Sequence, residues 1–206
     1  MSRPALLLAT RSLGKLYELR PLFAQAGLDV VDLDTAGIEE NAEEDELEQH
    51  ATFEENALAK ARYFHRRSGG MPTVADDSGL EVLALGGRPG VHTKRWSGRS
   101  DLSGRALDEA NNQKLLDTLG DETDRRARYV CVAAYVDGRE ERPFRGESEG
   151  RILFAPRGAG GFGYDPLFES VELGLTFAEI DRATKERVSH RGRAFAKLIA
   201  ALGGPG

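Results

Sequence analysis

The 206-residue sequence has one cysteine, one tryptophan and two methionines. A single cysteine excludes an internal disulfide framework and any cysteine-based zinc cluster. Cys131 lies in the apolar run Tyr129–Val136 and reads as a small buried hydrophobe rather than a reactive thiol. His50 and His65 have no H-x-x-x-H partner, so histidine spacing offers no zinc site either. No apolar stretch approaches the roughly 18 residues of a membrane span, and Met1–Thr10 lacks the cleavage pattern of a signal peptide. The expectation is a cytoplasmic protein with no membrane partner.

Positive charge is also missing over one long stretch. Between Pro21 and Ala59 there is no lysine or arginine, while twelve carboxylates fall there; with a net charge of -6 overall, the rest of the chain is +6. Charge segregated in this way suits a partner that needs both a cationic cradle and a carboxylate cluster. It does not leave the continuous basic face of a nucleic-acid binder. His92, Lys94, Arg95 and Trp96 do interleave basic and aromatic residues, but the cluster is short and Trp96 reads as packing. With 40% apolar and 30% charged residues the composition is that of a soluble globular chain.

What is present alternates between strand and helix signals. Ala5–Ala9 is a short apolar run, followed by Leu16, Leu19, Leu22 and Phe23 at helical spacing up to Gly27. Asp29–Leu33 predicts a second strand, and Thr52-Phe-Glu-Glu55 is a capping box that opens a helix ended by Ser68-Gly-Gly70. Pro72–Ala75 predicts a third strand, followed by a turn-like Asp76-Asp77-Ser78-Gly79 and an alternating segment, Leu80–Leu85. Leu107, Leu115, Leu116 and Leu119 predict a helix closed by Gly120. Ala127–Val136 and Arg142–Glu149 flank Asp137-Gly138 as a hairpin, and a last helix runs from Gly192 to Leu202. The fold class expected is α/β, a mixed central β-sheet flanked by helices, with residues 1–206 forming one domain of two lobes and an active-site cleft between them.

Four segments carry chemistry. The turn Thr10–Lys15 follows a strand and opens a helix, where free N–H groups and the helix dipole favour an anion such as phosphate. Asp76 and Asp77 follow a buried-looking strand and, as neighbours, point to opposite faces; Mg²⁺ takes a few carboxylates with phosphate oxygens and water. The alternative is a turn in which aspartate caps its own backbone. Phe162-Gly163-Tyr164-Asp165-Pro166 sets two rings and a carboxylate around a glycine, which suits a flat heterocycle or a packed aromatic turn. Ser189-His190-Arg191-Gly192, with Lys185 upstream, supplies donors ahead of a helix.

In series, LLLAT-x-x-x-x-K-x-x-EL, TFEENALAKAR, ADDSGLEV-x-x-LGG-x-PG, GFGYDPLF and K-x-x-x-SHRG resemble the non-canonical purine nucleoside triphosphate pyrophosphatases, also called inosine triphosphate or dITP/XTP pyrophosphatases. The resemblance covers essentially the whole chain. It implies Mg²⁺-dependent hydrolysis of ITP, dITP or XTP to the monophosphate and pyrophosphate, and a homodimer. On the same resemblance Thr10, Arg11, Ser12, Leu13, Gly14 and Lys15 would hold the phosphates, and Lys60 would reach them. Asp77 would bind metal and act as general base, and Ser78 would touch the substrate. Glu48 would be the second metal carboxylate, with Glu46 or Glu44 able to replace it by a small register shift. Phe162, Gly163, Tyr164 and Asp165 would form one wall of the base pocket, with Lys185, His190 and Arg191 on the other. Arg11 and Ser12 stand where the family turn usually has glycine and asparagine.

Two other readings compete. Septum-formation-inhibitor-like pyrophosphatases act on pyrimidine or modified nucleotides, but they typically carry an S-x-S-P-R-R turn where this chain has Thr-Arg-Ser-Leu-Gly-Lys. A non-catalytic nucleotide-binding or nucleic-acid-binding protein on the same fold would show a continuous basic face, and the -12 stretch argues against that.

Overall fold

A computed structural model describes residues 5–203, apart from the side chain of Asp45; the outermost residues, including the start of the stretch inspected for a signal peptide, lie outside the described residues. Six strands and five helices follow in the order β1 (Leu6–Leu8), α1 (Leu13–Gln25), β2 (Val30–Asp32), α2 (Phe53–Arg67), β3 (Thr73–Val82), α3 (Gly104–Leu119), β4 (Arg126–Val136), β5 (Glu141–Ile152), β6 (Phe168–Ser170), α4 (Arg182–Val188) and α5 (His190–Ala201) among the described residues. The sheet order is β2-β1-β3-β4-β5-β6. β1 runs parallel to β2, with Leu7 opposite Val31, and parallel to β3, with Leu7 opposite Thr73. β6 runs antiparallel to β5, with Glu169 opposite Arg151. The sheet is therefore mixed, as the alternation followed by a hairpin predicts. Leu6, Leu7 and Leu8 are all buried, the continuous apolar pattern of a strand with parallel neighbours on both sides.

The chain forms two compact units. The first comprises residues 1–77, 131–146 and 191–206, and the second residues 78–130 and 147–190. The core of the first gathers Leu19 and Phe23 of α1, Val74, Cys131 and Ala133, and Phe195, Leu198 and Ile199 of α5. Phe23 meets Phe195 edge to face at 5.8 Å. Cys131 is fully buried and its thiol is pushed up chiefly by burial, so it stays an inert thiol as expected. The core of the second unit is aromatic: Tyr129, Phe168 and Phe177 lie together, with Tyr129 parallel to Phe177 at 5.9 Å.

One expectation is corrected. Asp76-Asp77-Ser78-Gly79 is no turn: β3 runs unbroken from Thr73 to Val82, because ladder pairing satisfies its backbone and overrides the local turn preference of Asp-Ser-Gly. The two aspartates thus sit inside a strand rather than at its end. β6 and α4 had no sequence signal, being three and seven residues long. The acidic stretch is engaged by arginines from elsewhere in the chain. Arg11 forks onto Glu44 at 3.1 and 2.8 Å and reaches Asp34 at 3.3 Å, Arg145 meets Glu54 at 2.9 Å, and Arg20 pairs with Asp32. Charge segregated along the sequence is paired in space within the first unit.

Candidate functional site

In the first unit, β1 delivers the chain to the start of α1. Ser12 caps the helix, its Oγ accepting from the Lys15 N–H at 3.3 Å, while Thr10 Oγ accepts from the Ser12 N–H at 3.2 Å. Leu13 is exposed and Gly14 half-buried in the first turn, and Lys15 extends from it to Asp76, with Nζ 3.0 Å from Oδ2. The Arg11 guanidinium is engaged by Glu44 and Asp34, so it ties the acidic loop to this turn.

β3 places Asp76 and Asp77 on opposite faces, as the alternation of a strand requires. Asp76 is buried beside Lys15 and Arg191, with Arg191 Nε 3.5 Å away, and Arg191 Nη1 reaches Glu18 at 2.6 Å. Two anions and two cations balance, which makes burial of the set tolerable. Burial by itself would raise the Asp76 pKa, but Lys15, Arg191 and Lys60 outweigh it and hold the carboxyl well below the usual range. Asp77 faces α2. Asn56 Nδ2 donates to its Oδ2 at 2.9 Å, and Lys60 Nζ lies 4.0 Å from its Oδ1. Burial pushes the Asp77 pKa up and Glu48 adds to this, against the pull of Lys60. Lys60 also meets Glu48 at 2.6 Å and the Asp76 carbonyl at 2.5 Å. Burial disfavours its ammonium, yet Glu48, Asp77 and Asp76 prevail and its pKa is raised.

Glu48 is therefore the carboxylate of the acidic stretch that shares Lys60 with Asp77, whereas Glu44 is taken by Arg11. Among the described residues no group of three or more histidines, cysteines or carboxylates forms a metal cage. Glu48 and Asp77 fit a different kind of ion, one that takes one or two protein carboxylates and completes its shell with phosphate oxygens and water, as Mg²⁺ does. A buried Asp77 carboxylate gains from such a cation.

In the second unit the Phe162–Asp165 turn and α4 meet. Asp165 Oδ2 accepts from the Phe162 N–H at 2.9 Å and from Lys185 Nζ at 2.5 Å. That ammonium lies 4.9 Å from the Phe162 ring centre and 5.7 Å from that of Phe177, a cation–π setting. Gly161 has φ +70°, and a Cβ there would strike the Asp165 carboxylate, so the turn needs glycine. Tyr164 is buried and donates its hydroxyl to the Thr93 carbonyl at 2.8 Å; burial pushes its pKa up, so it remains a phenol. His190 stacks on Tyr129 at 4.4 Å with 6° between planes. An ammonium and a carboxylate beside an aromatic ring can recognise a flat polar heterocycle.

The predicted residues thus divide. Thr10–Lys15, Glu48, Lys60 and Asp77 belong to the first unit, and Ser78, Phe162–Asp165, Lys185 and His190 to the second. Arg191, which the sequence groups with Lys185 and His190, belongs to the first unit, where it holds Asp76 and Glu18. Four residues escaped sequence reasoning: Asp76 as the charge partner of Lys15, Asn56 beside Asp77, and Asp108 and Asn112 of α3, both of which bond to Gly163. The signal was available for three of them, since Asn56, Asn112 and Asp108 are polar residues next to apolar helix positions.

Residues 6–201 match the model of the Ham1 family. The dITP/XTP pyrophosphatase of Burkholderia pseudomallei is 47% identical over 98% of this chain and 95% of its own length. That of Ralstonia nicotianae is 46% identical over 96% of each. Among solved structures, the Ham1 protein of Staphylococcus aureus superposes with TM-score 0.82 at 36% identity, covering 96% of this chain and 97% of its own. The HAM1 protein of Coxiella burnetii superposes with TM-score 0.83 at 33% identity, covering 97% and 98%. The Thr10–Lys15 turn, the paired aspartates and the Phe-Gly-Tyr-Asp-Pro turn all lie within the matched span, and the chain belongs to the Ham1 family.

Proposed function

We propose that the protein hydrolyses non-canonical purine nucleoside triphosphates (ITP, dITP or XTP) between the α and β phosphates, giving the nucleoside monophosphate and pyrophosphate. The observation that carries this reading is the alternation of charge around β3: Lys15 against Asp76, and Lys60 between Glu48 and Asp77. Phosphoryl transfer asks a protein for charge neutralisation and an in-line water more than for covalent chemistry. The α1 amino terminus and Lys15 would bind phosphate oxygens, exchanging Asp76 for a more highly charged partner, and Lys60 would reach the same group. Asp77 and Glu48 would hold Mg²⁺, whose charge neutralises the phosphates when bound. Asp77 would also orient the attacking water and accept its proton, held in place by Asn56. Relatives named dITP/XTP pyrophosphatases, alike over nearly their whole length, support the same assignment.

For the base, the resemblance points to the Phe162–Asp165 turn and Lys185. A 6-keto purine presents an acceptor at O6 where adenine presents a donor, so a donor at that edge favours hypoxanthine and xanthine and leaves adenine with two opposed donors. Lys185, on the face of Phe162, is the donor we assign to this role in place of Arg191. A cytoplasmic homodimer is proposed on family resemblance, and sedimentation of the purified chain tests the dimer.

Pyrophosphate release from ITP, dITP, XTP, ATP and dUTP, with and without Mg²⁺, tests the reading. Turnover is expected with the first three, dependent on Mg²⁺, and a preference for dUTP would overturn it. Asp77→Asn is expected to abolish pyrophosphate release while leaving the circular dichroism spectrum unchanged; near-parent activity in that variant would sink the mechanism.

A further inference from the structure

Resting on the pyrophosphatase reading, we propose that Asp108 and Asn112 are positioning residues for base recognition, clamping Gly163 from two successive turns of α3 and thereby setting the Phe162–Asp165 turn. The spacing i, i+4 puts both side chains on one face of the helix. Asp108 Oδ2 accepts from the Gly163 N–H at 2.8 Å, and Asn112 Nδ2 donates to the Gly163 carbonyl at 3.0 Å. Together they give one residue what a neighbouring strand would give it, an acceptor for its N–H and a donor for its carbonyl.

Gly163 depends on these bonds. Its φ is +63°, and the space where a Cβ would stand is open, so packing does not hold it at that point. It lies between Phe162, whose ring carries the Lys185 ammonium, and the buried Tyr164-Asp165 pair. A rotation at Gly163 would turn the Phe162 ring away from Lys185 and loosen the Asp165 carboxylate that accepts from both.

Asn112 supports a role beyond packing. The Gly163 carbonyl only accepts, so the amide nitrogen must face it, and Asn112 Oδ1 is left buried with no hydrogen-bond partner among the described residues. An orphaned buried acceptor costs on the order of 1–3 kcal/mol. A side chain serving packing alone would be apolar; a local rule broken in this way marks a functional position.

The test is steady-state pyrophosphate release from dITP and XTP by the parent chain, Asp108→Ala, Asp108→Asn and Asn112→Ala, with inorganic tripolyphosphate as a competitor that has no base. Each alanine variant should raise KM about tenfold with kcat within about threefold, the loss expected for one functional hydrogen bond. The inhibition constant of tripolyphosphate should stay within about twofold, because the phosphate residues of the first unit are untouched. Asp108→Asn should keep a near-parent KM, since its amide oxygen can still accept from Gly163. Unchanged KM in both alanine variants overturns the inference, as does a parallel rise in KM and in the tripolyphosphate constant, or an Asp108→Asn no better than Asp108→Ala. If Asp108→Ala does not fold, Asn112→Ala decides alone. Absence of turnover by the parent chain on both nucleotides is the failure of the pyrophosphatase reading, which takes the inference with it; normal parent turnover beside unaffected variants is the failure of the inference only.

Discussion

Asn56 is fully buried and uses both ends of its amide: Oδ1 accepts from the His50 N–H at 2.9 Å, and Nδ2 donates to Asp77 at 2.9 Å. It therefore links the backbone two residues beyond Glu48 to the carboxylate that shares Lys60 with Glu48. The amide cannot flip, because one partner only donates and the other only accepts. Asn56→Leu keeps the size of the side chain but removes the acceptor of the His50 N–H and strands a buried Asp77 carboxylate oxygen, a cost of roughly 1–3 kcal/mol. The expected outcome is a lower melting temperature and a weakened apparent affinity for Mg²⁺ in pyrophosphate release, larger than the change in KM for nucleotide at saturating Mg²⁺. Equal changes in both would deny Asn56 a role in placing the carboxylates. At this scale Lys15 and Asp77 were legible as candidates from the residues alone, and Lys60 through the family resemblance. Asn56 and Asp76 were not, because their importance comes from partners 21 and 61 positions away, Asp77 and Lys15.

Elements were legible where a stop signal coincided with periodicity. Gly120 closes α3 with φ +48°, and the capping box opens α2, with Thr52 Oγ accepting from the Glu55 N–H at 3.2 Å. They were illegible where tertiary pairing outweighed local preference, as in β3, or where an element was too short for a period to register, as in β6. α3 also shows an element carrying a cost for its role. Burial pushes the Asp108 pKa up, and the Asp165 and Glu109 carboxylates add to this, against the opposing hydrogen bond from Gly163. The folded chain thus holds that proton more tightly than the unfolded chain. The sign follows: ionised Asp108 works against folding above its folded pKa, and the penalty fades as pH falls through that pKa and is gone below the ordinary carboxylate value of about 4. Asp108→Asn, which removes the charge and keeps an acceptor, should melt at a higher temperature than the parent at pH 8, with the gap closing toward pH 4. A gap independent of pH would assign the effect to something other than ionisation.

At the scale of the molecule, neither unit is a contiguous stretch of sequence, so neither can be read off as a segment. The -12 stretch makes the point: it has no base of its own in sequence, yet Asp32, Asp34, Glu44, Glu48 and Glu54 meet Arg20, Arg11, Lys60 and Arg145 in space, and Glu48 pairs with Lys60 beside Asp77. The first unit is completed by the last helix, since Ala194, Phe195, Leu198 and Ile199 of α5 are buried among residues from β1, α1, β3 and β4. A chain ending at His190 would lose all four. At about 1.5–3 kcal/mol for each of the three large side chains, the loss is roughly 5–9 kcal/mol. It rivals the whole net stability of a domain, typically about 5–15 kcal/mol. Removing Arg191 as well leaves Asp76 with less positive charge to offset its burial. The truncated chain is therefore expected to lose its cooperative thermal transition and the dispersed amide resonances of β1, α1 and the first half of β3, not merely its activity. A truncated chain that keeps a sharp transition and those resonances would show that α5 is an accessory to the first unit rather than part of its core.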